Sequence, residues 1–163
     1  MKKFKLTSEF IVDISGVKLF RIKALIEFGN VKAGDLGGYI EKEKNLSHMG
    51  NAWVSGNAQV FGNARVSGDA QVFGDAQVFG NAQVFGDARV SGDKDYAYAH
   101  GFGSCNRTTT FFRLKDGDVG VRCGCFYGTL AQFRDNVCET HGETKKAQEY
   151  LMLADLMDFR FKN

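Results

Sequence analysis

The stretch AWVSGNAQVFGNARVSGDAQVFGDAQVFGNAQVFGDARVSGD, residues 52–93, repeats every six residues. Alanine stands at 52, 58, 64, 70, 76, 82 and 88, and valine two residues after each. Residues two apart in an extended chain share a face, so each unit reads as a short strand turning its Ala/Val pair inward. The Gly-Asn or Gly-Asp that follows is turn chemistry: glycine accepts positive φ, and the Asx side chain bonds nearby backbone. Glycine at every sixth position would cost a helix about 1 kcal/mol each relative to alanine, which excludes a helix. So short a strand cannot bury its inner face alone; repeats of fixed period bury it by stacking.

The pattern V-x-G-[ND]-A-x resembles the hexapeptide repeat of left-handed parallel β-helices, a family in which three hexads form one 18-residue triangular coil. The inward positions match, whereas the position after valine, small or acidic in that family, is Phe or Ser here. Ile40 and Leu46 continue the alanine register backward, and Tyr96 and Phe102 continue the valine register forward, for about three and a half coils. Stacking by eighteen assigns Trp53 and Phe73 to one outer wall, Phe61 and Phe79 to a second and Phe85 to a third. Gln59, Gln77 and Gln83 share these walls. An outward, nearly uncharged wall of Phe and Gln needs cover, from the chain's own ends or from a second copy. Trp53, Phe61, Phe73, Phe79 and Phe85 are therefore the expected interaction surface, and the resemblance implies a homo-oligomer (trimer or dimer).

Residues 1–39 hold no hexads. Segments 9–14 and 17–26 are β-rich and meet at Ser15-Gly16, a hairpin turn expected to cap the first coil of a β-helix spanning 40–103. In 104–163, TTTFFRL (108–114) and VGVRCGCFYG (119–128) read as a hairpin around Lys115–Asp118. Thr129 and Gln132 have capping-box spacing before a helix with Leu130, Phe133 and Val137 on one stripe and Gly142 as its stop. A second helix starts near Thr144, with Ala147, Tyr150, Leu151, Ala154 and Met157 on its inner face, widened by Leu153 and Leu156. The expected architecture is mainly β: hairpin cap, short β-helix and a ββαα module. The runs RIKALIEFGNVKAGDLGGYIEKEKNLS (21–47) and GSCNRTTTFFR (103–113) with CGCFYGTL (123–130) resemble phage and enterobacterial hexapeptide-repeat proteins. That group has no settled function and is often labelled putative transferase.

The chain has 163 residues, 20 Gly and no Pro, with 21 basic and 19 acidic side chains. No segment is basic enough to track phosphates, which argues against general nucleic-acid binding. No apolar run approaches a membrane span, and Lys5, Glu9 and Asp13 interrupt any signal-peptide core. Four cysteines without a secretion signal read as reduced thiols in a cytosol, which the resemblance implies is a bacterial host's.

Cys123, Cys125, Cys138 and His141 have the ligand types of a zinc site, since strand alternation and one helical turn would pair them. The competing reading is buried thiols, with Cys123 and Cys125 sharing the face of Val119 and Val121 and Cys138 extending the stripe of Val137. Arg107, Thr109 and Arg113, with Thr108 and Thr110, combine charge and hydroxyls at the β-helix junction as a candidate anion site, against a solvated strand edge. By resemblance, an acyltransferase would need a histidine base at a subunit interface. The histidines are His48, at an irregular entry coil, His100, expected inward near the last coil, and His141 at a helix end. No loop interrupts the hexads to supply catalytic parts. The expected function is non-enzymatic binding by a homo-oligomer, with a host (defence) protein as the partner the resemblance suggests and no cofactor beyond the zinc candidate. Two alternatives stay open: an acyltransferase completed at the subunit interface, and a protein sequestering small nucleotide-like molecules.

Overall fold

A computed structural model describes residues 2–103 and 107–162. The hexads form β4 (Trp53–Val54), β5 (Gln59–Val60), β6 (Arg65–Val66), β7 (Gln71–Val72), β8 (Gln77–Val78), β9 (Gln83–Val84) and β10 (Arg89–Val90). Each pairs in parallel with the strand eighteen residues away: β4 with β7 and β7 with β10, β5 with β8, and β6 with β9. The result is a β-solenoid whose walls carry ladders of unequal length. Every alanine and valine of the repeat is at most 1% exposed. A fully buried valine contributes about 1.5–3 kcal/mol, so the core is assembled from many equal increments.

The corners explain the glycines. From Gly50 to Gly86 each takes a left-handed φ between 64° and 71°. At Gly68 a Cβ would also stand 2.8 Å from the Gly86 nitrogen of the next coil. Gly92, eighth in the series, is extended at φ −163° and opens a 3-10 turn, Asp93–Asp95. The sequence period therefore outlasts the conformation by one corner.

Register at the entry differs from expectation. In β3 (Leu36–Ile40), Ile40 pairs with Val60, and Leu46 bridges Val66, both twenty residues apart. Ile40 and Leu46 thus hold valine positions, not alanine ones. Gly50 stacks on Gly68 at the ordinary eighteen, so the two extra residues lie between Leu46 and Gly50, where Met49 is exposed and His48 packs on Phe4. β1 (Phe4–Val12) and β2 (Lys18–Ala24) form the hairpin, its turn tied by the Asp13 carboxylate accepting from the Ser15 and Val17 N–H groups. β2 pairs with β3, and Phe4, Ile22 and Ala24 join the solenoid core.

At the other end, residues 96–102 do not continue the hexads. Tyr96 keeps an inward place at 6% exposure, but Phe102 is 44% exposed, because β11 (Tyr96–Phe102) leaves to pair antiparallel with β12 (Arg107–Arg113). The segment 119–128 is itself a hairpin, β13 (Val119–Cys123) and β14 (Phe126–Thr129), folded at Gly124 with φ +58°. The C-terminal unit is therefore a four-stranded sheet with two helices rather than ββαα. α1 (Leu130–His141) begins in the expected Thr129/Gln132 box, and α2 (Lys145–Phe161) begins at Thr144, whose side chain accepts from the Ala147 N–H. Neighbouring Phe111 and Phe112, both fully buried, point to opposite faces of β12. Phe111 packs under the helices and Phe112 enters the solenoid core, so one strand joins the two cores.

Candidate interaction surface

The chain's own ends cover two of the five outward aromatics. Trp53 is 4% exposed, edge-on to Phe28 at 5.3 Å between centroids, so it lies under the entry segment and outside any open wall. Phe85 is covered by Tyr127 of β14, edge-on at 4.9 Å, and by the Arg122 guanidinium at 4.3 Å. Phe73 and Phe79 stay 38% and 40% exposed. The coil pitch stacks Phe61 on Phe79 at 5.3 Å and 11°, an aromatic ladder beside Gln59 and Gln77.

That ladder continues onto the C-terminal unit. Phe79 lines a hollow with Tyr96, Tyr98, Ala97 and Arg160, and Ala97 and Arg160 also line a cavity of about 750 Å³ with Leu156 and Phe159. On α2, Met152, Leu156 and Phe159 are 71%, 54% and 78% exposed, at spacings that place them on one stripe opposite buried Ala147, Tyr150, Ala154 and Met157. Leu156 was expected to widen the inner face; it belongs to this outer one. Spacings of four and three from Met152 were readable in the sequence, but the longer inner stripe dominated the pattern.

The anion candidates are not brought together. Arg107 and Arg113 lie at opposite ends of β12, roughly 20 Å apart at strand rise. Thr109 is fully buried and donates to the Cys123 sulfur at 3.3 Å, while Thr110 accepts from the Gln83 N–H at 2.9 Å. Arg113 is engaged by Asp95 at 3.3 Å and the Phe161 carbonyl at 3.2 Å. Burial works to raise the Asp95 pKa, yet hydrogen bonds from Ser91 and Arg113 hold it below the usual carboxylate value.

Cys123, Cys125 and His141 line a cavity of about 530 Å³ with Arg107, Phe133 and Tyr150, and Cys138 is not on its wall. The turn at Gly124 breaks strand alternation, so Cys123 is buried and Cys125 exposed, and Cys138 is exposed as well. Among the described residues no three His, Cys, Asp or Glu side chains are grouped to hold a metal ion. Nor do the histidines converge. His48 stacks on Phe4 at 4.3 Å, accepts from the Lys3 N–H at Nδ1 and so presents Nε2–H to Glu43 at 3.1 Å. His100 is exposed, bonded to Thr108 at 2.8 Å, because β11 has left the solenoid. His141 lies against Tyr150 at the end of α1.

A family model described as the YdcK beta solenoid repeat matches residues 58–74 and 82–93, the segment that builds the stacked walls. It supports the chain as a β-solenoid repeat protein. No curated protein matches the chain. Among the described residues no helix is long and apolar enough to cross a membrane.

Proposed function

We propose that this chain is a non-catalytic binding protein, a short left-handed β-helix capped by its N-terminal hairpin, that self-associates through its second wall. The Phe61–Phe79 ladder carries the reading. Two stacked rings, one of them 40% exposed, sit on a wall whose outward hexad positions hold only Gln59, Phe61, Gln77 and Phe79. The ladder itself carries no charge, bordered by Glu41 at one edge and by Arg160 with Asp93 at the other, and the adjoining Leu156 and Phe159 enlarge the apolar area available. The first wall and the third lack this property, since Arg89 lies on one and Arg65 on the other.

Light scattering across a dilution series tests the reading. The expected result is a concentration-dependent mass for the native chain and a constant monomer mass for Phe79→Lys. A native chain that stays monomeric, or a Phe79→Lys variant that associates as the native one does, contradicts it. Association only with an added protein would assign the wall to an outside partner and reject self-association.

A further inference from the structure

The third wall carries a groove of about 560 Å³ whose shape follows from three local departures from the repeat. Ser67 stands eighteen residues before Phe85, so a small side chain leaves a hollow beside a large one. The two-residue insertion between Leu46 and Gly50 puts Ser47 and His48 along one side of the groove. Arg122, on β13 of the C-terminal unit, overhangs the other with its guanidinium 4.3 Å from the Phe85 ring centre.

Lys44, Arg65 and Arg122 all line this groove, and none of them is in an ion pair among the described residues. Glu43, the carboxylate at the groove, is engaged by Lys2 at 3.0 Å and His48 at 3.1 Å, contacts that hold its pKa below the usual carboxylate value. The hydroxyls of Ser47 and Ser67 add neutral hydrogen-bonding groups. Lys44 and Arg65 also border an adjoining hollow of about 580 Å³ with Lys42 and Asn63, space for a ligand larger than an ion.

We propose that this groove binds a small phosphate monoester. Guanidinium groups match phosphate oxygens with paired N–H donors, and three unpaired cations against one engaged carboxylate suit a dianion. The cations cluster at one place on a chain of net charge +2, which points to a small ligand rather than a polyanion that needs a continuous track. The site lies on a different wall from the Phe61–Phe79 ladder, so it stands whether or not the chain self-associates.

Amide chemical shifts followed in low salt during titration with ribose 5-phosphate, inorganic phosphate and ribose test this. The expected result is saturable shifts at Ser47, Ser67 and Gln83 with ribose 5-phosphate and none with ribose, with affinity lowered at least about tenfold in both Arg65→Gln and Arg122→Gln. Both side chains reach solvent, and Lys44→Gln provides a third variant should either fail to fold. No saturable shift with ribose 5-phosphate, or affinity unchanged in the variants, overturns the proposal. Inorganic phosphate binding as tightly as the ester would overturn its ester part.

Discussion

The ammonium of Lys3 donates to the carbonyl oxygen of Ala52 at 2.7 Å, inside the first coil of the solenoid. Corner and strand N–H groups of each coil donate to carbonyls of the next, as Trp53 does to Ala70 and Gln59 to Ala76. Beneath the first coil, backbone N–H groups of Tyr39, Glu41 and Ser47 serve the Ala58, Val60 and Val66 carbonyls, and side chains serve others at its corners and first wall. Lys3 serves Ala52 and, at 3.3 Å, Gly50; Asn45, fully buried, serves Gly62 at 3.2 Å and Ala64 at 2.9 Å. The far end uses the same device with other residues: Thr110 accepts from the Gln83 N–H, Tyr127 accepts from the Asp87 N–H, and Tyr96 donates to the Gln77 carbonyl at 2.6 Å. Side chains thus supplement the backbone at both ends.

Asn45→Leu keeps the volume and removes both donors, leaving the Gly62 and Ala64 carbonyls without their partner. A buried acceptor so stranded costs about 1–3 kcal/mol. Urea unfolding is expected to show that loss as a lower midpoint with an unchanged slope. A midpoint equal to the native one would mean that these carbonyls are satisfied in some other way.

Two buried groups at opposite ends give opposite responses to alkali. Burial lowers the Lys3 pKa from 10.5 to about 8, with Asp69 opposing. Between those values the unfolded chain holds the proton more often, so stability rises with pH. Burial pushes Tyr96 up from 10.0 to about 12, so from 10 to 12 the folded chain retains a proton that the unfolded chain releases, and stability falls. Urea midpoints measured from pH 7 to 12 should lose the rise in Lys3→Met and the late fall in Tyr96→Phe. Retention of either feature in its variant contradicts the assignment.

Gly68 and Gly92 have the same place in the sequence period and different demands in the fold. Gly68→Ala meets a left-handed φ and the Gly86 nitrogen at 2.8 Å, whereas Gly92 is extended with nothing within 4 Å of a Cβ. The left-handed conformation alone costs about 1–2 kcal/mol for a residue bearing a Cβ. Thermal unfolding should show at least that loss for Gly68→Ala and a change within about 0.5 kcal/mol for Gly92→Ala. Equal losses would mean that position in the repeat, not local geometry, sets the cost.

Thiol labelling separates the three cysteines described in the C-terminal unit. Cys125 and Cys138 are exposed; Cys123 is 8% exposed, accepts from Thr109 and lies 3.8 Å from the Tyr150 hydroxyl. Under native conditions Cys125 and Cys138 should react promptly, and Cys123 only in denaturant, as peptide masses would show. Labelling of Cys123 at the rate of Cys138 would contradict this packing.

What the sequence made legible through its fixed period was the Ala/Val interior and the glycine corners, while the resemblance to left-handed β-helices supplied the eighteen-residue pairing and with it the Phe61–Phe79 ladder. The sequence also marked both helix starts, because Thr129 and Thr144 are local signals. What escaped was non-local or stood at a break in the period. Two residues inserted at His48-Met49 shift Ile40 and Leu46 between registers without altering their apolar character. Gly124 resembles any strand glycine until its φ turns the chain, and that turn separates Cys123 from Cys125. Lys3 and Asn45 look like ordinary surface residues, and only the solenoid's unpaired carbonyls make them interior. The groove at Arg65 and Arg122 joins residues from two units, which no spacing along the chain reveals.

Sedimentation equilibrium of the native chain beside Phe79→Lys tests the central claim most directly. The account predicts a mass of two or three times the 18.0 kDa chain for the native protein and one chain mass for the variant. A native protein sedimenting as a single chain at every concentration would contradict it.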